Sequence, residues 1–463
     1  MIERENFIKD YLKEMLNGSA AIFGGAGLSI PSGYMDWKTL VEPLAKEIGL
    51  NIEKEHDLIT VMQYYSNEVS RPKLDGNIMN SFEVKAKDND NLNIVSELPI
   101  NTFWTTNYDS LIEDTLKKQN KIVDVKRNQE SLVINKNNRD AVVYKMHGDI
   151  LYPSETVITK DDYDTYGMSR PFFRTTLQSD LLTKTFLFIG FSFEDPNLDY
   201  ILSQIKILLH GYTRSHYCFM KKISVTEDDY EYRKIKQKLK INDLKRYNIY
   251  TILVDEYSEI TDILNDLKER VYRKNVFISS AIESNTNEVW TLKKANDFGY
   301  KLSKTLIENN YKVVSGYGKG INSSIITGAL EIIYKDKFKH TDEFLKIRPF
   351  PYHGTKEMWT RYREDTLKEV GITIFIFGNK YSANDELVIS DGMKEEFNLS
   401  IKQGAKVIPV GSTGGASKEI FDEVKENIES FSYLDEYLEI LENSESDEKL
   451  LKVIMEIIEN LQK

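Results

Sequence analysis

Ala20-Ala21-Ile22-Phe23-Gly24-Gly25-Ala26-Gly27-Leu28-Ser29 is the stretch that decides the fold. Its first half is a short, continuous apolar run, which reads as a strand buried in a parallel sheet. The glycines that follow permit a tight turn in which backbone N–H groups approach a pyrophosphate without interference from Cβ atoms, and Ser29 adds a hydroxyl donor. A glycine turn after a strand also serves as a plain strand-to-helix connection. Its position at the first strand-to-helix turn favours the nucleotide reading.

Working outward, apolar β-rich runs recur at 101–104, 142–146, 185–190 and 247–254, separated by stretches of helical period. That alternation predicts a mostly parallel sheet with helices on both faces. A helix over 3–16 precedes the first strand and stops at Asn17-Gly18, a left-handed terminator. The segment 266–274 is strongly charged, after which a second α/β series opens. It has strands at 276–279, 311–315, 372–378 and 406–411, a helix over 322–334, and helices to the end. The fold class is therefore α/β with two Rossmann-like domains, 1–273 and 274–463. In the acidic tail, Leu450, Val453, Ile454, Ile457, Ile458 and Leu461 recur at helical spacing, as expected of a helix packed on its own domain.

With 463 residues the chain exceeds what one core supports, and 41% hydrophobic with 29% charged residues is ordinary globular composition. Sixty-one Lys plus Arg against 73 Asp plus Glu leave a net charge of -12, which argues against nucleic-acid binding. The start has no secretory pattern and no apolar run approaches membrane-spanning length, so no membrane association is expected. The one cysteine, Cys218, rules out an internal disulfide and suits a reducing compartment, and the chain is read as cytoplasmic.

Two further segments sit at strand ends, where ligands bind in open α/β sheets. Thr105-Thr106-Asn107-Tyr108-Asp109 follows the 101–104 strand and brings an amide and a carboxylate. The same residues would also serve as an ordinary helix cap. Lys145-Met146-His147-Gly148-Asp149 closes the 142–146 strand and brings an imidazole, whose pKa near neutrality suits general-base work. A third, Gly190-Phe191-Ser192-Phe193-Glu194-Asp195-Pro196-Asn197, offers Gly190 and Ser192, while Asp195-Pro196 reads as a helix start.

Taken together these segments resemble the sirtuin family of NAD-consuming enzymes, with its Gly-Ala-Gly-x-Ser nucleotide loop. The resemblance implies NAD contacts at Gly25, Ala26, Gly27, Ser29, Thr106, Gly190 and Ser192. It implies a catalytic Asn107, which orients the nicotinamide ribose and the nucleophile, a catalytic His147 acting on ribose hydroxyls or water, and support from Asp109. Thr106 stands where sirtuins have Gln, which alters the nicotinamide side. Protein-deacylating sirtuins carry a four-cysteine zinc module that one cysteine cannot build. The expectation is a hydrolase that cuts NAD+ itself into nicotinamide and ADP-ribose, with NAD as substrate, no cofactor and no metal. The alternatives are a zinc-free protein deacylase and a catalytically silent nucleotide sensor.

In the second series Lys312-Val313-Val314-Ser315 runs into Gly316-Tyr317-Gly318-Lys319-Gly320, again a strand and a glycine turn. Arg348, Arg361, Arg363 and Lys380 concentrate cations in an acidic protein, and guanidinium forks match phosphate oxygens. A solvated surface patch is the alternative. This half is similar to the SLOG superfamily of nucleotide-ligand domains, and the fusion resembles ThsA-type effectors of Thoeris antiphage defence. The resemblance implies a cyclic ADP-ribose isomer, made by a TIR-domain partner protein, that activates a homotetramer to deplete NAD. It implies activator contacts at Arg363, Lys380, Gly392 and Glu396, with Ser279, Ser280, Gly316 and Gly318 beside them. SLOG hydrolases carry a Pro-Gly-Gly-x-Gly-Thr loop that is lacking at Ser390-Asp391-Gly392, so a sensor rather than a second enzyme is expected.

Overall fold

The computed structural model describes residues 2–208, 213–318, 320–351, 353–382 and 384–462. They form two compact units, Met1–Lys268 and Glu269–Lys463. The division falls inside the helix Ser258–Tyr272, ahead of the boundary expected at 273/274. Within the charged run at 266–274, Leu267 and Val271 are buried, as is Leu264 one turn before.

The first unit holds a seven-stranded parallel sheet of β1 (Ala20–Gly24), β2 (Thr102–Thr105), β3 (Val123–Lys126), β4 (Ala141–Lys145), β5 (Thr185–Ile189), β6 (His216–Lys221) and β7 (Ile249–Val254), in the order β3-β4-β2-β1-β5-β6-β7. Every residue of β1, β2 and β5 is buried, which is why their sequences read as unbroken apolar runs. β1 pairs with β2 on one side and β5 on the other. The chain therefore reverses direction across the sheet at β1, and a crevice opens at the carboxyl ends of these strands. The helices between β1 and β2 include Trp37–Glu47, Leu58–Glu68 and Arg71–Ser81. They carry a core of their own around Val41, Val61, Met62, Tyr65 and Leu74. Arg71 ties this insertion to Asp162 at 2.6 Å and to the Thr156 carbonyl at 2.8 Å.

The second unit is built on β8 (Asn275–Ile282), β9 (Lys312–Ser315), β10 (Leu345–Ile347), β11 (Ile372–Tyr381), β12 (Leu387–Ile389) and β13 (Lys406–Pro409). The order is β10-β9-β8-β11-β12, with β13 also paired to β11. Only β12 runs antiparallel. The helix Asp447–Leu461 buries Leu450, Val453, Ile454, Ile457 and Ile458 in this unit's core, as its spacing predicts. No helix among the described residues is long and apolar enough to cross a membrane.

Candidate active site

The turns after β1, β2, β4 and β5 meet at one cavity of about 440 Å³. Its lining includes Ala26, Gly27, Ser29, Thr106, Asn107, Asp109, His147, Gly190 and Ser192. Gly25 lies just behind it. The glycines are there because two loops cross in contact: the Gly25 N–H donates to Ile189 O at 3.0 Å and the Gly27 N–H to Gly190 O at 2.9 Å. A Cβ on Gly25 would lie 2.4 Å from Gly190 O. The amides of Gly25 and Gly27 are thus spent on the neighbouring loop, contrary to their expected role as phosphate donors. The Ala26 amide is the turn's donor without a bond to the described residues. Gly190 has φ +66° and its Cβ would fall 2.2 Å from Leu28 N. Left-handed strain and a backbone clash then act together, and Gly190→Ala is expected to cost more than about 3 kcal/mol. A fall in the urea midpoint of the first unit would register it.

Asn107 is fixed by its own amide, whose Nδ2 donates to Gly25 O at 3.0 Å and to Ser29 Oγ at 2.9 Å. Ser29 Oγ in turn donates to Asp109 Oδ2 at 2.8 Å, and Asp109 Oδ1 accepts the Leu111 N–H at 3.0 Å. The Ser29 proton is therefore committed to Asp109, and the hydroxyl is a relay rather than a donor to a ligand. With both Nδ2 hydrogens used, the Asn107 carboxamide oxygen is left as an acceptor. Burial pushes the Asp109 carboxyl above its ordinary range, against the hydrogen bonds that favour its charge.

Beneath these turns lies Lys145, fully buried at the end of β4. Its ammonium donates to Tyr108 O at 2.9 Å, Asp109 O at 2.6 Å and Asp149 Oδ2 at 2.8 Å. One cation thereby joins the Asn107 segment to the His147 segment. Arg127 donates to the same Asp149 oxygen at 2.6 Å, and these cations hold the Asp149 carboxyl below its usual range despite burial.

His147 is 2% exposed, sits edge-on to Tyr163 at 5.3 Å and Tyr166 at 6.1 Å, and still lines the cavity. Burial depresses its pKa. Its Nε2 lies 3.2 Å from Asp195 Oδ2 but makes no hydrogen bond. Reading the sequence missed Asp195 and Glu194 as cavity residues, although both stand in the segment that was singled out. It also missed Tyr34, Trp37, Leu58 and Phe82, which the helical insertion brings to the cavity wall. Aromatic residues amid polar helices between β1 and β2 were the only available signal. Cys218 is buried in β6, its thiol pushed up to about 11.

In the second unit Gly392, Glu396 and, through Glu396, Ser279 lie next to Arg363, on the helix Lys356–Leu367. Arg363 Nη1 donates to Glu395 Oε2 at 2.7 Å, its Nε lies 3.6 Å from Glu396 Oε1, and its guanidinium covers the Phe350 ring at 4.7 Å. Glu396 Oε2 accepts the Ser279 hydroxyl at 2.6 Å, and burial raises its pKa. Gly392 leaves room for the guanidinium, since a Cβ there would sit 2.8 Å from Nη2. A Cβ on Gly318 would fall 1.9 Å from Ser280 O, so the glycine turn crosses β8 at backbone contact. Gly316 lies against the Phe277 and Phe350 rings. Lys380 joins the helix Asp391–Lys402 through Asp391. Arg361 is exposed on the surface and Arg348 half-buried. Lys319 lies outside the described residues. Ser280 Oγ, Asn322 Nδ2, Trp359 Nε1 and Arg363 Nε are buried polar atoms that make no hydrogen bond to the described residues.

Residues 101–250 match the family described as SIR2-like domain, and residues 259–461 match the Sir2- and TIR-associating SLOG family. The chain is 45% identical over 436 residues to a Bacillus cereus (strain MSX-D12) protein named NAD(+) hydrolase ThsA, covering 92% of this chain and 90% of that one. An Enterococcus faecium protein of the same name is 43% identical over 482 residues, with both chains fully covered. A Bacillus subtilis protein named defense-associated sirtuin 2 is 27% identical over 208 residues, 43% of this chain and 20% of that one. With a SIR2-like unit around the Asn107 and His147 cavity, a SLOG unit around Arg363, and such relatives along its whole length, the chain belongs to the ThsA NAD(+) hydrolase family.

Proposed function

We propose that the chain hydrolyses NAD+ to nicotinamide and ADP-ribose in antiphage defence, and that a cyclic ADP-ribose isomer held at Arg363 switches the reaction on. The observation that carries the catalytic part is the convergence of Asn107 and Asp109, from the end of β2, and His147, from the end of β4, on one cavity. Cleaving the nicotinamide–ribose bond builds oxocarbenium character on the sugar, so the site must hold NAD, stabilise positive charge and place a nucleophile. The Asn107 carboxamide oxygen accepts from the attacking water or a ribose hydroxyl. Neutral His147 takes the proton that water gives up as the new C–O bond forms, and nicotinamide leaves as the neutral base. Asp109 fixes Asn107 through Ser29. NAD is consumed as substrate, and no step calls for a metal.

The buried polar atoms without hydrogen bonds in the second unit support the sensing part. Arginine takes phosphate oxygens in fork geometry and a carboxylate such as Glu396 takes a ribose diol. The activator comes from a TIR-domain partner, and the active form is a homotetramer in the cytoplasm that drains the NAD pool. The test is chromatography of NAD incubated with the full chain, alone and with cyclic ADP-ribose isomers, in the absence of any peptide. Nicotinamide and ADP-ribose appearing with one isomer supports the proposal. Nicotinamide release only on adding an acylated peptide would make the chain a deacylase, and NAD intact under every condition would leave a silent sensor.

A further inference from the structure

We propose that Asp195 is the positioning residue of the NAD hydrolysis reaction: its carboxylate sets the tautomer of His147 and stabilises the imidazolium formed during turnover. The inference rests on the hydrolase reading above. Asp195 ends the loop after β5, the same loop that Gly25 and Gly27 pin by backbone hydrogen bonds. Its Oδ1 accepts the Leu198 N–H at 2.9 Å and so caps the helix Pro196–Leu208, which fixes the carboxylate's orientation. Its other oxygen is then turned to His147 Nε2 at 3.2 Å, with the two side chains only 8% and 3% exposed. Among the described residues no ammonium or guanidinium pairs with Asp195, so His147 is the titratable cation-former that its free oxygen approaches.

The other groups facing His147 are engaged elsewhere. Arg170 donates to Arg127 O at 3.0 Å and to Glu155 O at 2.5 Å. Asp162 pairs with Arg71 at 2.6 Å and accepts the Ile158 and Thr159 N–H groups. Tyr108 and Tyr166 donate to the Val157 and Met146 carbonyls, and Tyr163 presents its ring edge. A carboxylate beside Nε2 favours the tautomer protonated there, which leaves the lone pair on Nδ1, a nitrogen with no partner among the described residues. The pair is close but not aligned as a hydrogen bond. When Nδ1 takes the proton from water, the imidazole becomes a buried cation, and Asp195 is the nearby charge of opposite sign. Burial pushes the His147 pKa down and Asp195 is the leading influence pulling it back up.

The test compares wild type with Asp195→Asn, which keeps the capping oxygen and the shape but removes the charge. At the highest wild-type rate found with or without a cyclic ADP-ribose isomer, the variant is expected to lose about 100-fold in kcat. KM for NAD should stay within about 3-fold, and the acidic limb of the kcat profile should move to lower pH, because an imidazole without its anion is less basic. A cap alone would not move that limb. Asp195→Ser, which also retains a capping oxygen, is read by the same criteria. A kcat within about 3-fold of wild type with an unmoved limb overturns the proposal, as does an effect confined to KM. Loss of the native unfolding transition in both variants would make Asp195 a helix cap and equally end it. A wild type that leaves NAD intact removes the hydrolase reading and this inference with it, whereas an active wild type beside an equally active Asp195→Asn removes the inference alone.

Discussion

His147→Ala is expected to lower kcat for NAD hydrolysis about 1000-fold while changing the NAD dissociation constant by no more than about 3-fold, within the span of a lost general base. The residue lines the cavity but contributes no side-chain hydrogen bond to the fold, its packing being edge contacts to Tyr163 and Tyr166. The thermal transition should therefore hold, and isothermal titration of the variant with NAD separates lost chemistry from lost binding. The pH profile of the wild type supplies the second half of this result. A base works only when neutral, and the His147 pKa lies below the ordinary imidazole value of 6.5. Turnover should thus persist as pH falls through 6.5 and decline only below it. A half-maximal point above 6.5 would place the titrating group elsewhere, and a His147→Ala enzyme within tenfold of wild type would remove the imidazole from the mechanism.

What the sequence disclosed of this site follows from how each residue is buried. β1 and β5 could be read almost to the residue because they are covered on both faces and have no polar positions to blur the run. β3 was missed because Asp124 and Lys126 make it look like a solvated segment. The two neutralise each other at 2.9 Å while almost wholly buried, a pairing that no local pattern announces. The three-residue strands β10 and β12 are too short to carry a period. Asn107 and His147 were legible because strand ends are where such sheets place ligands. The Ser29–Asp109 bond and the approach of Asp195 to His147 were not, since each joins residues far apart in sequence. Asp195 does start a helix, as Asp-Pro suggests, and only the fold reveals that its second oxygen faces an imidazole. The glycines answer a packing demand that the sequence did not announce. Their spacing suits a phosphate loop, and the structure uses it to let the 25–28 and 189–191 backbones touch.

If Arg363 reads the activator as proposed, Arg363→Ala is expected to weaken the response to a cyclic ADP-ribose isomer about 100-fold in half-maximal concentration, the loss of about 2–3 kcal/mol that removing a charged hydrogen-bonding partner costs. The change acts on the protein as well as on the ligand. Without the guanidinium, Glu396 keeps only the Ser279 hydroxyl and Glu395 only Thr360, so two carboxylates are left close together with their cation gone. The second unit should lose about 1–3 kcal/mol of stability, read as a lower unfolding midpoint. Arg363→Lys separates the two effects. It restores a cation to the carboxylates, and with it most of the stability, but a single ammonium cannot reproduce a planar fork or cover the Phe350 ring, so the ligand response should stay impaired. The comparison also bounds the switch itself. Moving an equilibrium from 1:99 to 99:1 takes about 5.5 kcal/mol of differential affinity. A lost contact worth half of that would leave about half of the enzyme at rest even at saturating ligand, so the maximal rate should fall along with the sensitivity. A lysine variant that responds like wild type would show that Arg363 holds the unit together and does not read the ligand.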